Sequence, residues 1–347
     1  MAYITFQPKD NFNTVLYTGN GSTNAITGVG FQPDWVWCKK RNSAQDHGAV
    51  DAVRGVTKVL YPNLDSAEST DANSVTAFGT DGFTLGSSGD FNQNSDTYVS
   101  WNWKAGGGQG SSNTDGSINT TYTSVNTTAG FSISQYTGTG SAATVGHGLG
   151  AVPKMMIIKN LGQTVDWTVY HASIGATKNL HLNTTDAEAT SSAFFNDTTP
   201  TSSVFSISSA NGTNSSGQNL VAYCFAEKKG FSKFGSYTGN GNADGTFVYT
   251  GFKPAFVMVK RSSGTESWQM TDSVRDKDVS PNFARLVTNA SSAESTNTTW
   301  AKIEKFSNGF KLGGTDTVSN GSGSTYIYMA FAEEPLVSSN EVPATAR

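Results

Sequence analysis

One pattern is written three times along this chain, and that repetition constrains the fold more than any other property of the sequence. Tyr17-Thr18-Gly19-Asn20-Gly21 returns as Tyr136-Thr137-Gly138-Thr139-Gly140 and as Tyr237-Thr238-Gly239-Asn240-Gly241. After each comes a proline, an apolar run and a lysine: Pro33 to Lys39, Pro153 to Lys159, Pro254 to Lys260. A third marker spans Asn63 to Thr70, Asn183 to Thr190 and Asn289 to Thr296, with Ala directly before a Glu in every copy. A Phe-centred strand then follows at Phe83, Phe205 and Phe310. Each copy closes on an aromatic-rich run: Tyr98 to Trp103, Leu220 to Phe225, Tyr326 to Phe331. Five markers in one order define three units, residues 1–105, 131–230 and 231–336. These are domain-sized, too long for the repeats of a solenoid.

Within a unit the signals are those of strands. Trp35-Val36-Trp37 and Val257-Met258-Val259 are β-branched and aromatic runs of strand length. They are apolar at successive positions, so both of their faces must be covered. Gly19-Asn20-Gly21, Asp81-Gly82, Asn308-Gly309 and Asn320-Gly321 punctuate them as turns. The Ala-Glu marker is the best helical candidate, a single turn capped by Asp65, Thr185 or Ser291. The predicted fold is all-β: three tandem β-sandwich domains of jelly-roll or lectin-like type, related by the internal repeat. Residues 106–130 carry Gly106-Gly107-Gly108-Gln109-Gly110-Ser111-Ser112, the composition of a flexible linker. Residues 337–347 read as a polar C-terminal arm or tail.

Composition narrows the functional classes. Aromatics are 11% of the chain, which disordered sequences do not carry. Charged residues are 14%, against about 25% in an average globular protein, so a coiled coil is excluded. The net charge is −4 with no basic cluster, which argues against nucleic acid as a partner. No apolar run approaches the roughly 18 to 20 residues of a membrane span, so no membrane partner is expected. The N-terminus lacks the basic and apolar regions of a secretory signal, and synthesis and folding in a cytosol are expected. Cys38 and Cys224 lie in apolar strand-like runs and are read as buried free thiols.

A catalytic constellation is not evident, and no cofactor or metal is expected. His47, His147, His171 and His181 have no metal-ligand spacing among themselves or with cysteine. His171, in the column of Asp51 and Asp272, is expected to be a polar loop or strand-edge residue. There is no Gly-x-Ser-x-Gly elbow and no Gly-Lys-Ser/Thr phosphate loop. Glu68, Glu188 and Glu294 recur singly, where a glycosidase needs two carboxylates in one cleft. A residue retained in all three copies belongs to the build of each unit, and these glutamates are read as structural. Lys39, Lys159 and Lys260 are expected to end a strand and face solvent. Trp35, Trp37, Trp101 and Trp103 are spaced by two, so each pair shares a strand face. They either pack in a core or, on an exposed face, stack on sugar rings, which makes them the candidate glycan contacts. His47, Trp167 and Trp268 share one column, which favours packing.

Several segments resemble virion structural proteins of marine tailed bacteriophages. They are Leu16 to Gly21, Gly30 to Trp37, Asp51-Ala52-Val53-Arg54-Gly55, Asp81 to Gly86, Ala330 to Glu333 and Val342 to Arg347. The resemblance covers nearly the whole chain and implies a repeated lectin-like or tail-fibre-like β protein without catalytic residues. The expectation that follows is a non-enzymatic virion component, made in the host cytoplasm and displayed as head decoration, head fibre or tail fibre. Its partners would be capsid or tail proteins and further copies of itself, a homotrimer being favoured by analogy with phage surface proteins. The alternative is an adhesin for host surface glycans, and a polysaccharide depolymerase ranks below it. Unit two departs most, with no Trp after Pro153 and His171 in place of Asp51.

Overall fold

The computed structural model of the protein describes residues 6–276, 283–297 and 302–333, with two short strands at 336–337 and 343–344. It is all-β, built of several antiparallel sheets. Each repeat contributes one large sheet with the same central order. In the first unit Phe12–Thr18 lies beside Thr97–Trp103, then Trp35–Lys40, then Gly48–Asp51. In the second, Phe131–Thr137, Asn219–Ala226, Pro153–Asn160 and Thr168–His171 repeat that order. In the third, the same places are taken by Ser232–Thr238, Thr325–Ala332, Pro254–Arg261 and Gln269–Asp272. The closing aromatic strand is therefore interior in every sheet. A smaller sheet of two or three strands accompanies each large one, around Gly82–Leu85, Val204–Ile207 and Gly309–Gly313.

Strand alternation explains the continuous apolar runs. Successive side chains point to opposite faces. Val36 and Cys38 join the unit's own core with Phe83 and Leu85 of the small sheet. Trp35 and Trp37 point the other way, into a second core shared by all three units. Unit two divides likewise, Met156 and Ile158 to its own cluster, Met155 and Ile157 to the shared one. Unit three sends Val257 and Val259 one way, Phe256 and Met258 the other. Both faces of these strands are covered, as the runs require, but the second cover comes from the other repeats. The shared core is aromatic. Trp35 stacks on Tyr223 at 4.3 Å between ring centres, Phe12 on Phe331 at 4.9 Å, and Phe225 meets Phe331 edge-on at 6.1 Å. Pairs of this kind join each unit to the others and add to their area burial.

The stretch read as a flexible linker is built into the fold. Buried Asp34 accepts hydrogen bonds from the backbone N–H groups of Ala105, Gly107 and Gly108 at 2.7 to 2.9 Å. Gly107 and Gly108 take positive φ to present them, 82° and 143°, which a side chain would oppose. Further on, Tyr122–Asn126 adds an edge strand to the second large sheet. The predicted helical turn at the Ala-Glu marker is absent. That segment runs as an irregular loop into the short strands Ser69–Thr70, Ala189–Thr190 and Ser295–Asn297. Among the described residues the one-turn α-helices lie elsewhere, at Gly89–Asn92, Ser192–Phe195 and Asn211–Asn214. Of the C-terminal arm, only the pairing of Leu336 with Ala344 and Val337 with Pro343 is described; the rest lies outside the described residues. Cys38 and Cys224 are buried and free, and burial pushes the Cys38 thiol up to about 12. Among the described residues no helix is long and apolar enough to cross a membrane.

Candidate functional site

The four candidate glycan contacts are not on the surface. Trp35, Trp37, Trp101 and Trp103 are 0 to 2% exposed, and all four sit in the shared core. Stacking on a sugar needs a free ring face, and theirs are taken by neighbouring rings, so glycan contact at these positions is overturned. Their strands are sandwiched by the other repeats, which the sequence of one strand does not state.

The recurring markers come together instead where one unit meets the next, and they do so cyclically. The backbone N–H of Glu68 in unit one donates to Leu161 O of unit two, and Val165 N–H donates back to Asp65 O. Glu188 of unit two donates to Ser262 O of unit three, and Glu266 returns a bond to Thr185 O. Glu294 of unit three donates to Arg41 O of unit one, and Gln45 returns a bond to Ser291 O. These six bonds span 2.8 to 3.0 Å. The column of His47, Trp167 and Trp268 closes the same three clasps. Trp167 Nε1 donates to Leu64 O at 3.1 Å and Trp268 Nε1 to His181 O at 2.9 Å. His47 Nε2 donates to Val287 O at 3.0 Å, its Nδ1 accepting from Trp37 Nε1. One to two, two to three and three to one together make a closed ring with approximate threefold symmetry.

Side chains at the clasps are consumed internally. Glu68 pairs with Arg54 at 2.9 Å, Glu188 with Lys178, and Glu294 with Arg41 at 2.8 Å and Arg275 at 3.1 Å. The lysines expected to face solvent do the reverse: Lys39, Lys159 and Lys260 are fully buried. Each Nζ donates to the carbonyl of the following residue, at 2.7, 2.8 and 2.6 Å, and Lys260 also reaches Thr185 O of unit two at 3.2 Å. Burial draws all three ammonium groups down to about 8. Those carbonyls belong to the last residues of the same strands, Lys40, Asn160 and Arg261, and a lysine near a strand end carries no sequence sign that it folds back onto its own backbone.

The Asp51, His171 and Asp272 column shows why unit two departs. Asp51 accepts from Tyr223 Oη at 2.7 Å and pairs with Arg54 at 2.5 Å. Asp272 accepts from Trp101 Nε1 at 3.0 Å and pairs with Arg275 at 2.5 Å. Tyr223 and Trp101 occupy one column of the closing strand, and its third member is Met329. A thioether cannot donate, so an aspartate facing it would be left without its bond. His171 stands there instead, fully buried, and donates from Nε2 to the Tyr328 carbonyl at 3.2 Å. The arginine goes with the aspartate: Ile174 takes the place of Arg54 and Arg275.

These groups give the ring a pH dependence. Burial, with the nearby Lys39 charge, holds the His47 imidazole down at about 3, and burial holds His171 at about 4. An unfolded histidine titrates near 6.5. Protons are therefore taken up on unfolding, and stability present above about 6.5 falls as pH drops toward 4. Two such groups over two pH units amount to roughly 5 kcal/mol. For Asp272 and Glu294 burial works to raise the pKa, but the adjacent guanidinium groups outweigh it and hold both below the usual carboxylate range. Their contribution is lost at still lower pH. Urea midpoints measured at pH 6.5 and 4.5 should drop steeply, and His171→Gln should flatten the difference; equal midpoints would contradict the account.

A device that sequence reading missed anchors the Tyr-Thr-Gly turns. Asn92, Asn214 and Asn320 are buried, and each accepts from the turn backbone at Asn20, Thr139 or Asn240. Their amides donate to Ser22, Ser141 and Asn242 carbonyls at 2.6 to 2.9 Å. The recurrence of Asn at one place after the Phe strand was the available signal. The turn glycines are forced by contact: a Cβ on Gly19, Gly138 or Gly239 would sit 2.2 to 2.4 Å from a backbone oxygen.

Two surface features break the threefold pattern. Phe247 and Tyr249, 46% and 65% exposed, share a face of the strand Asp244–Tyr249, with Phe306 beside Phe247. In units one and two the corresponding places hold Ala25 and Thr27, and Thr144 and Gly146. The second feature is a groove in unit two, about 260 Å³, lined by Asp166, Thr168, His181, Phe194 and Gly212 among others. Among the described residues no group of three or more His, Cys, Asp or Glu is placed to hold a metal ion. Residues 7–335 match the family described as a domain of unknown function, DUF7483, and the chain belongs to that family. A comparison with curated proteins returns no match.

Proposed function

We propose that this DUF7483 chain is a non-enzymatic structural protein of a tailed-phage particle, displayed on its surface as a head decoration, head fibre or tail fibre. The observation that carries the reading is the closed ring of three clasps. Three near-copies of one unit around one axis present three near-copies of each outer face, which suits a threefold position in a larger assembly. The ring's buried arginines pair with its acids and its buried lysines donate to backbone carbonyls, as suits a scaffold. On this reading each unit is a jelly-roll or lectin-like sandwich, and the partners are capsid or tail proteins. One chain supplies the three lobes that a homotrimer would, so a monomer of 36.6 kDa is the proposed solution species. Mass spectrometry of purified particles tests the reading. The chain should be present at a fixed ratio to the major capsid protein, in hundreds of copies for a head site or about a dozen for a tail. Its absence from particles would sink the proposal.

The glycan adhesin is the second reading, favoured by the exposed Phe247 and Tyr249 pair. A glycan array probed with the wild type and Tyr249→Ala tests it, and equal binding by both would remove that strand from consideration.

A further inference from the structure

We propose that the groove of unit two is a binding site for a single neutral sugar ring. This goes beyond the structural role and does not depend on it.

The groove exists because unit two lost the groups that fill it elsewhere. Position 212 is Gly, where units one and three carry Asp90 and Val318, two residues before the turn-anchoring asparagine. In unit one Asp90 accepts from Tyr61 Oη at 2.9 Å and from Gln45 at 2.5 Å, and the Phe91 ring lies 2.3 Å from where a Cβ on Gly48 would be. In unit three Gln269, the counterpart of Thr168, accepts from Arg285 at 2.9 Å. In both units the polar group named here has a side-chain partner. In unit two this is not so. Thr168 Oγ1, His181 Nδ1 and Asn179 Oδ1 are buried and have no hydrogen-bond partner among the described residues. Thr168 and Asn179 are 0% and 1% exposed. A buried polar group without a partner is costly and gains by acquiring one.

The chemistry of these atoms selects the ligand. Asn179 Nδ2 lies 3.2 Å from His181 Nε2. An amide nitrogen only donates, so Nε2 accepts, which leaves a ring proton on Nδ1, a donor. Of the lining groups, the Thr168 hydroxyl both donates and accepts, and the Asp166 carboxylate, held by Asn183 at 2.7 Å, accepts at the rim. The groove thus offers a donor, an acceptor and a hydroxyl that is both, which matches sugar hydroxyls, each both donor and acceptor. Among the described residues no lysine or arginine lines the groove, so an anion has no counter-charge from them. Phe194, edge-on to His181 at 5.8 Å between ring centres, adds an apolar wall for C–H groups. The volume is that of roughly nine waters in the liquid, room for one pyranose and no more.

Saturation-transfer NMR on the full chain tests this with D-glucose, D-galactose, D-mannose and N-acetyl-D-glucosamine as probes. At least one should bind, with a dissociation constant on the order of 1 mM as befits so small a ligand. Gly212→Val places a side chain over Thr168 and should weaken binding about tenfold or more. Asp166→Asn, which preserves shape, should weaken it as well and guards against a misfolded valine variant. No transfer from any of the four sugars, or binding left unchanged in folded samples of both variants, would overturn the proposal.

Discussion

Residues 1–105 produced alone should fail to fold, giving a far-UV spectrum without a cooperative melt and aggregating at micromolar concentration. In the full chain the inward face of this unit's large sheet carries Trp35, Trp37, Trp101 and Trp103, all buried against the other repeats. Exposing four indoles of about 200 Å² each, at about 25 cal/mol per Å², forfeits roughly 20 kcal/mol as an upper bound. Whole-domain stabilities are only about 5 to 15 kcal/mol. An excised unit that melts cooperatively would mean that the shared core is dispensable and the repeats are independent domains after all. In the intact chain Trp35→Ala, which removes the ring stacked on Tyr223, should cost about 3 to 5 kcal/mol.

The second large effect concerns the buried ion pairs. Arg275→Ile should destabilise the chain by about 3 to 5 kcal/mol, because it strands Asp272 as a buried charge. Adding Asp272→His to that variant should restore part of the loss, since the pair then has the His171 and Ile174 composition that unit two already tolerates. Restoration would be incomplete, because Arg275 also holds Glu294 at 3.1 Å. Denaturant midpoints of the two single variants and the double variant measure the coupling. A double variant less stable than the sum of the singles would show that unit two's residues are not an alternative solution to the same problem.

What was legible in the sequence was what local chemistry controls. The Tyr-Thr-Gly turns, the apolar strands and the tripled order are written in residue type and spacing, and all appear as strands and turns of matching sheets. What was not legible was the identity of the second cover. Trp35-Val36-Trp37 says that both faces are buried, and says nothing of whether a unit's own small sheet or another repeat does the burying. Lys39 looked like a solvent-facing strand end because the group that receives its Nζ is the backbone carbonyl of Lys40, not a side chain that residue type would announce. Gly106 to Gly108 looked flexible because glycine that frees a chain and glycine that lets three N–H groups converge on Asp34 are the same residue. His171 was misplaced at an edge because its reason lies on another strand, in Met329. The groove was missed for a like reason: it is made by a glycine and by polar groups left over when Asp90 and Phe91 were not repeated.

Differential scanning calorimetry of the full chain tests the central claim most directly. One ring closed by three equivalent clasps should unfold as one unit, with a ratio of calorimetric to van't Hoff enthalpy of about 1. A ratio near about 3, or three resolved transitions, is the signature of three domains unfolding separately, and it would contradict the ring.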